Sequence, residues 1–144
     1  MSNTFKLDIL SPEGSVFSGQ VTLAKCPTLA GEITIFAGHT ALITKLSSGE
    51  VEIEQDGERK FIAIMSGFLE VSENVVSIIA DFAIRSDEID EQKIQEAKKY
   101  AEEQLKKKDK TSSEIAEHNL QKAVLELKVF EHRRIKNKNK GVKY

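Results

Sequence analysis

The side chains that most often carry out chemistry are few in this chain and stand far apart. The chain has three histidines and one cysteine, and His39, His118 and His132 fall in different predicted elements. His39 has no cysteine, carboxylate or second histidine beside it, so it does not indicate a metal site. Cys26 is alone and cannot form an internal disulfide, and we interpret it as a small buried hydrophobe.

Sequence motifs of catalysis are also missing. The chain contains no Walker-type glycine loop, no nucleophile elbow, no His-Glu-x-x-His and no cysteine pair. We therefore predict no catalytic residue, no cofactor and no metal site, and a chain that is not itself an enzyme.

Three carboxylates, Glu50, Glu52 and Glu54, alternate with apolar residues in one short run. Such a row could bind a cation only if other ligands converged on it, and the neighbouring sequence offers none. The alternation is more typical of a strand with a solvated acidic face, and this is what we predict.

The C-terminal end is basic. Residues 131–144 contain one acid and six Lys or Arg, without interleaved aromatic residues. Nucleic-acid binding is therefore less favoured than an acidic protein partner, because the rest of the chain is acidic. A basic tail that is merely solvated remains open.

The composition divides the chain into two regimes. Residues 1–85 carry six Lys or Arg and eleven Asp or Glu, whereas the remainder carries fifteen and twelve. Both prolines and seven of the eight glycines lie before residue 68. We predict domains at residues 1–86 and 87–140.

No apolar run approaches the ~20 residues of a membrane helix, and no signal peptide is visible, so we expect no direct membrane insertion.

The first regime reads as short strands separated by turns. Phe5, Leu7 and Ile9 alternate with polar residues, and Asp56-Gly57 is a strong hairpin signal. Residues 31–46 predict strand, Gly-His corner and strand, with Ile33, Ile35 and the 42–46 run buried. Turn signals every 8–12 residues or so indicate an all-β sandwich or barrel.

The second regime has helical periodicity. No Gly or Pro occurs between residues 68 and 140. Asp87 or Asp90 can cap a first helix, and Thr111 and Glu114 have the spacing of a capping box for a second helix. The predicted buried stripes are Ile94, Ala97, Ala101 and Leu105 in the first helix, and Ala116, Leu120, Ala123, Leu127 and Phe130 in the second. A short loop at residues 109–113 makes them an antiparallel two-helix hairpin. From the residues alone, the chain is a structural or regulatory subunit, a ligand-binding sandwich or a nucleic-acid adaptor.

Four stretches in order carry a family resemblance. They are Phe5–Ser11, residues 16–19 (Val-Phe-Ser-Gly), residues 31–42 (Gly-Glu-Ile to Gly-His-Thr-Ala-Leu), and residues 66–71 followed by 80–85. Together with the helical hairpin they make the chain similar, over roughly residues 5–130, to the ε subunit of the rotary F-type ATP synthase of bacteria and plastids.

The resemblance implies a sandwich of about ten strands in a non-catalytic rotor subunit of the central stalk. That subunit couples proton translocation through the ring of c subunits to ATP synthesis in the catalytic head, and it binds the γ subunit. The implied contacts with the c-ring are Thr28, Leu29, Ala30, Gly31 and Glu32. The implied contacts with γ are Gly38, His39, Thr40 and Leu42.

The resemblance also implies a regulatory hairpin that can extend into the catalytic head of α and β subunits and inhibit ATP hydrolysis. The implied inhibitory face is Leu120, Leu127, Phe130, Arg133, Arg134 and Lys136. The implied location is peripheral, on the cytoplasmic face of the bacterial plasma membrane rather than on the thylakoid membrane.

The chain departs from the family pattern at two places. Ala37 and Ala41 replace two prolines of the Gly-His corner, which should make it less rigid. Some members bind ATP through Ile/Leu-Asp-x-x-Arg-Ala. Here Ile89 and Asp90 fit that motif, but Lys93 replaces its arginine, and Lys122 and Glu126 replace two arginines of the second helix. Lysine lacks the planar fork that clamps phosphate and a carboxylate repels it, so we predict no ATP site.

A second interpretation comes from a different class of protein. The sandwich could be a free-standing module that binds a small ligand or a sugar. Co-purification separates the two, because a rotor subunit would be recovered with γ and the c-ring.

Overall fold

A computed structural model describes residues 3–106 and 110–140, and only the backbone of residues 110–112, 137, 139 and 140. The chain divides into two compact units between Arg85 and Ser86. Among the described residues, no helix has both the length and the apolar content needed to cross a membrane.

The first unit contains eight described strands, rather than the ten or so expected, joined in one continuous hydrogen-bonded sheet. The strands are β1 (Phe5–Ser11), β2 (Gly14–Val21), β3 (Leu23–Thr28), β4 (Gly31–Ile35), β5 (Leu42–Leu46), β6 (Gly49–Gln55), β7 (Glu58–Ser72) and β8 (Val75–Arg85). They run in the order β2-β1-β8-β7-β5-β3-β4, and β6 pairs with both β3 and β7. The predicted all-β sandwich is therefore confirmed.

The long strand β7 changes partner halfway along its length. Its first half pairs with β6, and its second half pairs with β5, while β8 follows it on the other side. The change falls at Ser66 and Gly67, where both residues have positive φ angles. A Cβ on Gly67 would lie 2.2 Å from the carbonyl oxygen of Ile79, so only glycine fits where β7 bends against β8.

The alternation of apolar residues predicts the core correctly in most strands. Phe5, Leu7 and Ile9 of β1 are almost wholly buried, and Ile35 and Leu46 are wholly buried. The remaining core comes from the inward faces of β2, β3 and β6 to β8. The Asp56-Gly57 hairpin is confirmed as well, because both residues have the positive φ angles of a tight two-residue turn.

Cys26 is wholly buried in this core, as expected. Burial raises the pKa of its thiol to about 12, because a low-dielectric interior disfavours the thiolate. Cys26 therefore behaves as a packing residue and not as a nucleophile.

The predicted burial of the 42–46 run is wrong in part, because Ile43 and Lys45 are exposed and only Leu46 is fully buried. Ile43, in the run expected to be buried, is 76% exposed. Successive side chains of a strand point to opposite faces, so the burial of Leu46 in β5 places Ile43 on the outer face. A short apolar run does not by itself reveal which of its members lie inside.

The second unit begins with a 3-10 turn, Ser86–Glu88, followed by α1 (Glu91–Leu105) and α2 (Lys110–Lys140). Asp90 caps α1, and its carboxylate accepts hydrogen bonds from the backbone N–H groups of Gln92 and Lys93 at 3.1 and 3.3 Å. The predicted cap and the two-helix arrangement are confirmed. The predicted loop at residues 109–113 is wrong for residues 110–113, because α2 already begins at Lys110 and Thr111 lies within the helix. The side chain of Thr111, the other predicted cap, lies outside the described residues.

The buried stripe of the helices is narrower than expected. Ala101, Ala116 and Ala123 are buried as predicted, but Ala97 is exposed. At about 100° per residue, Ile94 and Ala101 lie nearly in line and Leu105 turns to one side. Ala97 turns to the other side, beyond the edge of the stripe.

Candidate partner-binding surfaces

The β3–β4 turn is a tight hairpin with an apolar tip. Thr28 and Gly31 pair across it, and the Thr28 hydroxyl donates to the Gly31 carbonyl while accepting from the Ala30 N–H at 3.2 Å. Thr28 is buried, whereas Leu29 is 67% exposed. The side chain of Thr28 thus fixes the backbone that presents Leu29.

Glu32 begins a row of alternating charges that crosses four strands. Its carboxylate lies 3.2 Å from Lys25 Nζ, which is also 4.0 Å from Glu52. Arg59 lies 3.8 Å from Glu52 and 2.9 Å from Glu54. We call these five residues the charge ladder.

The ladder corrects the prediction of a solvated acidic face. Glu52 is only 8% exposed, so the Glu50, Glu52 and Glu54 row is not uniformly solvated. A carboxylate so nearly buried needs paired charges, and Lys25 and Arg59 lie beside it. Those two cations come from β3 and β7, so the pattern of β6 alone could not reveal them.

The Gly-His corner is tied to the turn between β7 and β8. The Gly38 N–H donates to Asn74 Oδ1 at 2.9 Å, and Asn74 Nδ2 donates to the Thr4 carbonyl at the same distance. His39 Nδ1 lies 2.7 Å from the Thr40 carbonyl oxygen. Gly38 and Thr40 are exposed, and His39 and Leu42 are half-buried. Asn74 therefore holds in place a corner that has alanine, and not proline, at residues 37 and 41.

An apolar row on the outer face of the sheet was missed by the sequence reasoning. Leu10, Ile79 and Phe68 are cross-strand neighbours on β1, β8 and β7, and they are 43%, 60% and 58% exposed. Ile43 of the adjacent β5 extends this surface. We call these four residues the apolar row.

Polar groups surround the apolar row. Ser66 donates to Asp81, and Ser18 donates to Asp8 at 2.6 Å. Lys45 lies opposite Phe68 on β5. An apolar centre with a polar rim is the usual anatomy of a protein interface.

A signal for the apolar row existed in the sequence. Lys6 and Asp8 show that the even positions of β1 face solvent, and Leu10 is an apolar residue in that series. Ile79 follows Ser77 in the same way on β8. Large apolar side chains on the polar side of an alternating strand are the feature that identifies such a surface.

The C-terminal turns of α2 form a basic surface. A cavity of about 430 Å³ is lined there by Phe130, Arg133, Arg134 and Lys138. Arg133 donates to the Ser86 carbonyl at 3.4 Å, and Arg134 lies 3.4 Å from Glu131. Leu120, Leu127 and Lys136, the other residues of the predicted inhibitory face, are half-buried.

The residues of the expected degraded ATP motif have other environments. Ile89 is buried, the Asp90 carboxylate caps α1, and Lys93 is exposed. Lys122 is half-buried on α2. Within the described ranges, no group of three or more His, Cys, Asp or Glu residues is placed to hold a metal ion.

Glu126 is the notable residue of this region, because it is only 2% exposed. Burial raises the pKa of its carboxyl above the ordinary 4.5, and the positive charge of Lys122 partly opposes that shift. Ionised Glu126 therefore destabilises the folded helices, because water solvates a carboxylate better than the protein interior does.

These features define a class of protein: a small β-sandwich with exposed binding surfaces, followed by a helical hairpin. Residues 4–86 match the family described as ATP synthase, Delta/Epsilon chain, beta-sandwich domain. The chain is also 42% identical over 127 residues to the ATP synthase epsilon chain of Endomicrobium trichonymphae, which covers 88% of this chain and 92% of that protein. The chain belongs to the ATP synthase epsilon chain family.

Two solved structures share the fold. One is a chain of the mitochondrial ATP synthase of Euglena gracilis, from an OSCP/F1/c-ring structure, with a TM-score of 0.66 and 24% identity over 91% of this chain and 79% of that one. The other comes from the central stalk and c-ring of the Tetrahymena thermophila enzyme, with a TM-score of 0.56 and 13% identity over 87% and 95%.

Replacing Glu126 with glutamine should change how the helical unit responds to pH. A raised folded-state pKa means that the folded unit binds more protons, so its stability falls as pH rises from 4.5 through that pKa. Glu126→Gln removes this loss and should raise the unfolding temperature of the helices at about pH 8 more than at about pH 5. Circular dichroism at the helical band measures it.

Glu117→Gln is the matched control, since Glu117 is an exposed carboxylate of the same helix. Equal effects of the two substitutions at both pH values would contradict the assignment of the pH response to Glu126.

Proposed function

We propose that this chain is a non-catalytic subunit of the ATP synthase rotor, which joins γ to the c-ring and so couples proton translocation to ATP synthesis. The observation that carries the proposal is the exposed apolar row on a sandwich of the epsilon chain family. Its place of action is the cytoplasmic face of the bacterial plasma membrane, where it is held by its partners.

We assign the contact with γ to the apolar row and the Gly-His corner together. The two surfaces are adjacent along the chain, because Ile43 follows Leu42 at the start of β5, where their side chains point to opposite faces of the strand. Burying a large apolar side chain contributes roughly 1.5–3 kcal/mol. Phe68 and Ile79 are adjacent across β7 and β8 and form the centre of this surface.

We assign the contact with the c-ring to the β3–β4 turn. Leu29 presents an exposed apolar tip on a backbone that Thr28 holds by hydrogen bonds, and Glu32 follows as the second residue of β4. The carboxylate would meet polar or basic loop residues of the ring. A partly exposed charge pair of this kind contributes on the order of 1 kcal/mol.

We assign regulation to the helical hairpin. Its buried stripe is rich in alanine (Ala101, Ala116 and Ala123), which stabilises much less than leucine or phenylalanine would. Because this stripe buries little apolar surface, the free energies of alternative arrangements of the helices differ by only a few kcal/mol. A partner that binds one arrangement more tightly can then shift the population. The basic surface of α2 suits an apolar and acidic groove in the catalytic head.

The alternative, a free-standing module for a small ligand, has one feature in its favour. A cavity of about 520 Å³ is lined by Asn3, Thr22, Leu23, Phe36, Ala37 and Glu54. However, the Glu54 carboxylate already bonds to Arg59 and accepts from the Thr22 hydroxyl at 3.2 Å. The charged group that could fix a ligand is therefore engaged within the chain.

Placing a charge in the apolar row should release γ. Phe68→Asp should weaken binding to γ roughly thirtyfold, the equivalent of about 2 kcal/mol for a central interface aromatic. Titration of the purified chain into γ measures the affinity. Thr34→Asp adds the same charge at an exposed position of β4 and should leave the affinity unchanged. Equal affinities of the Phe68→Asp and parent chains would rule out the row as the γ contact.

Removing the hairpin should relieve inhibition. A chain ending after Asp87 should still join the complex. Basal ATP hydrolysis should then rise at least about fivefold, because the coupling free energy between a regulatory site and an active site is usually about 1 kcal/mol or more. Neutralising Arg133, Arg134 and Lys136 to glutamine should do part of the same. Normal assembly with hydrolysis at the parent rate would mean that the hairpin is not an inhibitor in this protein.

A further inference from the structure

We propose that Lys25 is a positioning residue for coupling, because it holds the Glu32 carboxylate in the orientation that meets the c-ring. The proposal rests on the proposed function and adds to it a residue that the ring itself need not touch. It comes from the geometry of the charge ladder.

The strand register places Lys25 between two carboxylates. Lys25 lies directly opposite Glu52 across the β3–β6 pair, and Glu32 lies opposite Pro27, two residues further along β3. The Lys25 ammonium is therefore 3.2 Å from Glu32 on one side and 4.0 Å from Glu52 on the other. A single cation thus links the ring-facing strand to the middle of the sandwich.

The ladder is graded from a buried end to an exposed end. The side chains of Glu52, Lys25 and Glu32 are 10%, 39% and 59% exposed. Arg59 holds Glu52 from the other side and is itself held 2.9 Å from Glu54. Arg59 holds Glu52 in place, and Glu52 in turn restrains the Lys25 ammonium. The restrained ammonium can then restrain the Glu32 carboxylate.

Restraint of Glu32 matters because the backbone beneath it is already fixed. The Thr28 hydroxyl bridges the turn that leads into β4, so the freedom lost when the ring binds is mainly that of the Leu29 and Glu32 side chains. Ordering a flexible side chain beforehand removes that loss from the binding step. Lys25 therefore strengthens the ring contact without taking part in it.

If Lys25 only neutralises the charge of Glu32, the predicted change in ring affinity is the opposite. The direction of the change therefore distinguishes the two roles of Lys25. If Lys25 only neutralised Glu32, removing Lys25 would leave a freer carboxylate and tighten binding to a basic ring loop. If Lys25 positions Glu32, its removal weakens binding by about two- to tenfold.

The experiment is a double-mutant cycle on the full chain. Membranes stripped of their native epsilon chain are titrated with purified protein, and the concentration that restores half of the ATP-driven proton pumping is measured. We expect Lys25→Met and Glu32→Gln each to raise this concentration, and the double variant to match Glu32→Gln alone, since Lys25 acts through Glu32. Lys25→Arg, which keeps the charge, should restore the parent value.

Lys60→Met is the matched control. Lys60 donates to Gln55 on the neighbouring strand at 2.8 Å, and its loss should not change pumping. Thermal unfolding of each variant shows whether the sandwich is intact, and Lys25→Gln repeats the test with a polar side chain.

The other outcomes separate the two levels of the proposal. Unchanged or tighter binding of Lys25→Met beside a weakened Glu32→Gln overturns positioning and leaves the ring contact standing. A double variant whose defect equals both single defects combined also overturns positioning. No effect of Glu32→Gln overturns the ring contact and positioning together. Failure of the parent chain to restore pumping overturns the rotor function itself.

Discussion

The bend of β7 at Ser66 and Gly67 is the constraint on which the sandwich depends. Before the bend, β7 pairs with β6, and after it with β5, so this one strand links β6 to β5. Gly67 approaches the Ile79 backbone so closely that a side chain would collide with it. The hydrogen-bonded ladder with β8 survives the bend only because this position has no Cβ.

Both proposed contact surfaces take their positions from that strand. Phe68 follows the bend directly and stands in the centre of the apolar row. Arg59, near the start of β7, anchors the charge ladder that leads through Glu52 and Lys25 to Glu32. A change in the bend would therefore move the two proposed contact surfaces relative to each other.

The sequence predicts the parts of the fold that local rules govern. Period-two alternation locates β1, positive-φ residues locate the Asp56-Gly57 turn, and the Asp90 cap locates the start of α1. Prediction from the sequence fails where residues from other strands determine the environment of a side chain. The pattern of β6 cannot show that Glu52 is paired with cations from β3 and β7, and the run at β5 cannot show that Ile43 faces outward. The apolar row was likewise overlooked because Leu10, Phe68 and Ile79 are far apart in sequence and become neighbours only through strand pairing.

Recovery from native membranes distinguishes a rotor subunit from a free-standing module. The full chain, carrying an affinity tag, would be purified from detergent-solubilised membranes of its source cells and its companions identified by mass spectrometry. If the chain is a rotor subunit, γ and the c-ring are recovered with it in fixed proportion, together with ATP hydrolysis. Recovery of the chain as a lone soluble monomer, with no ATPase attached, would contradict it.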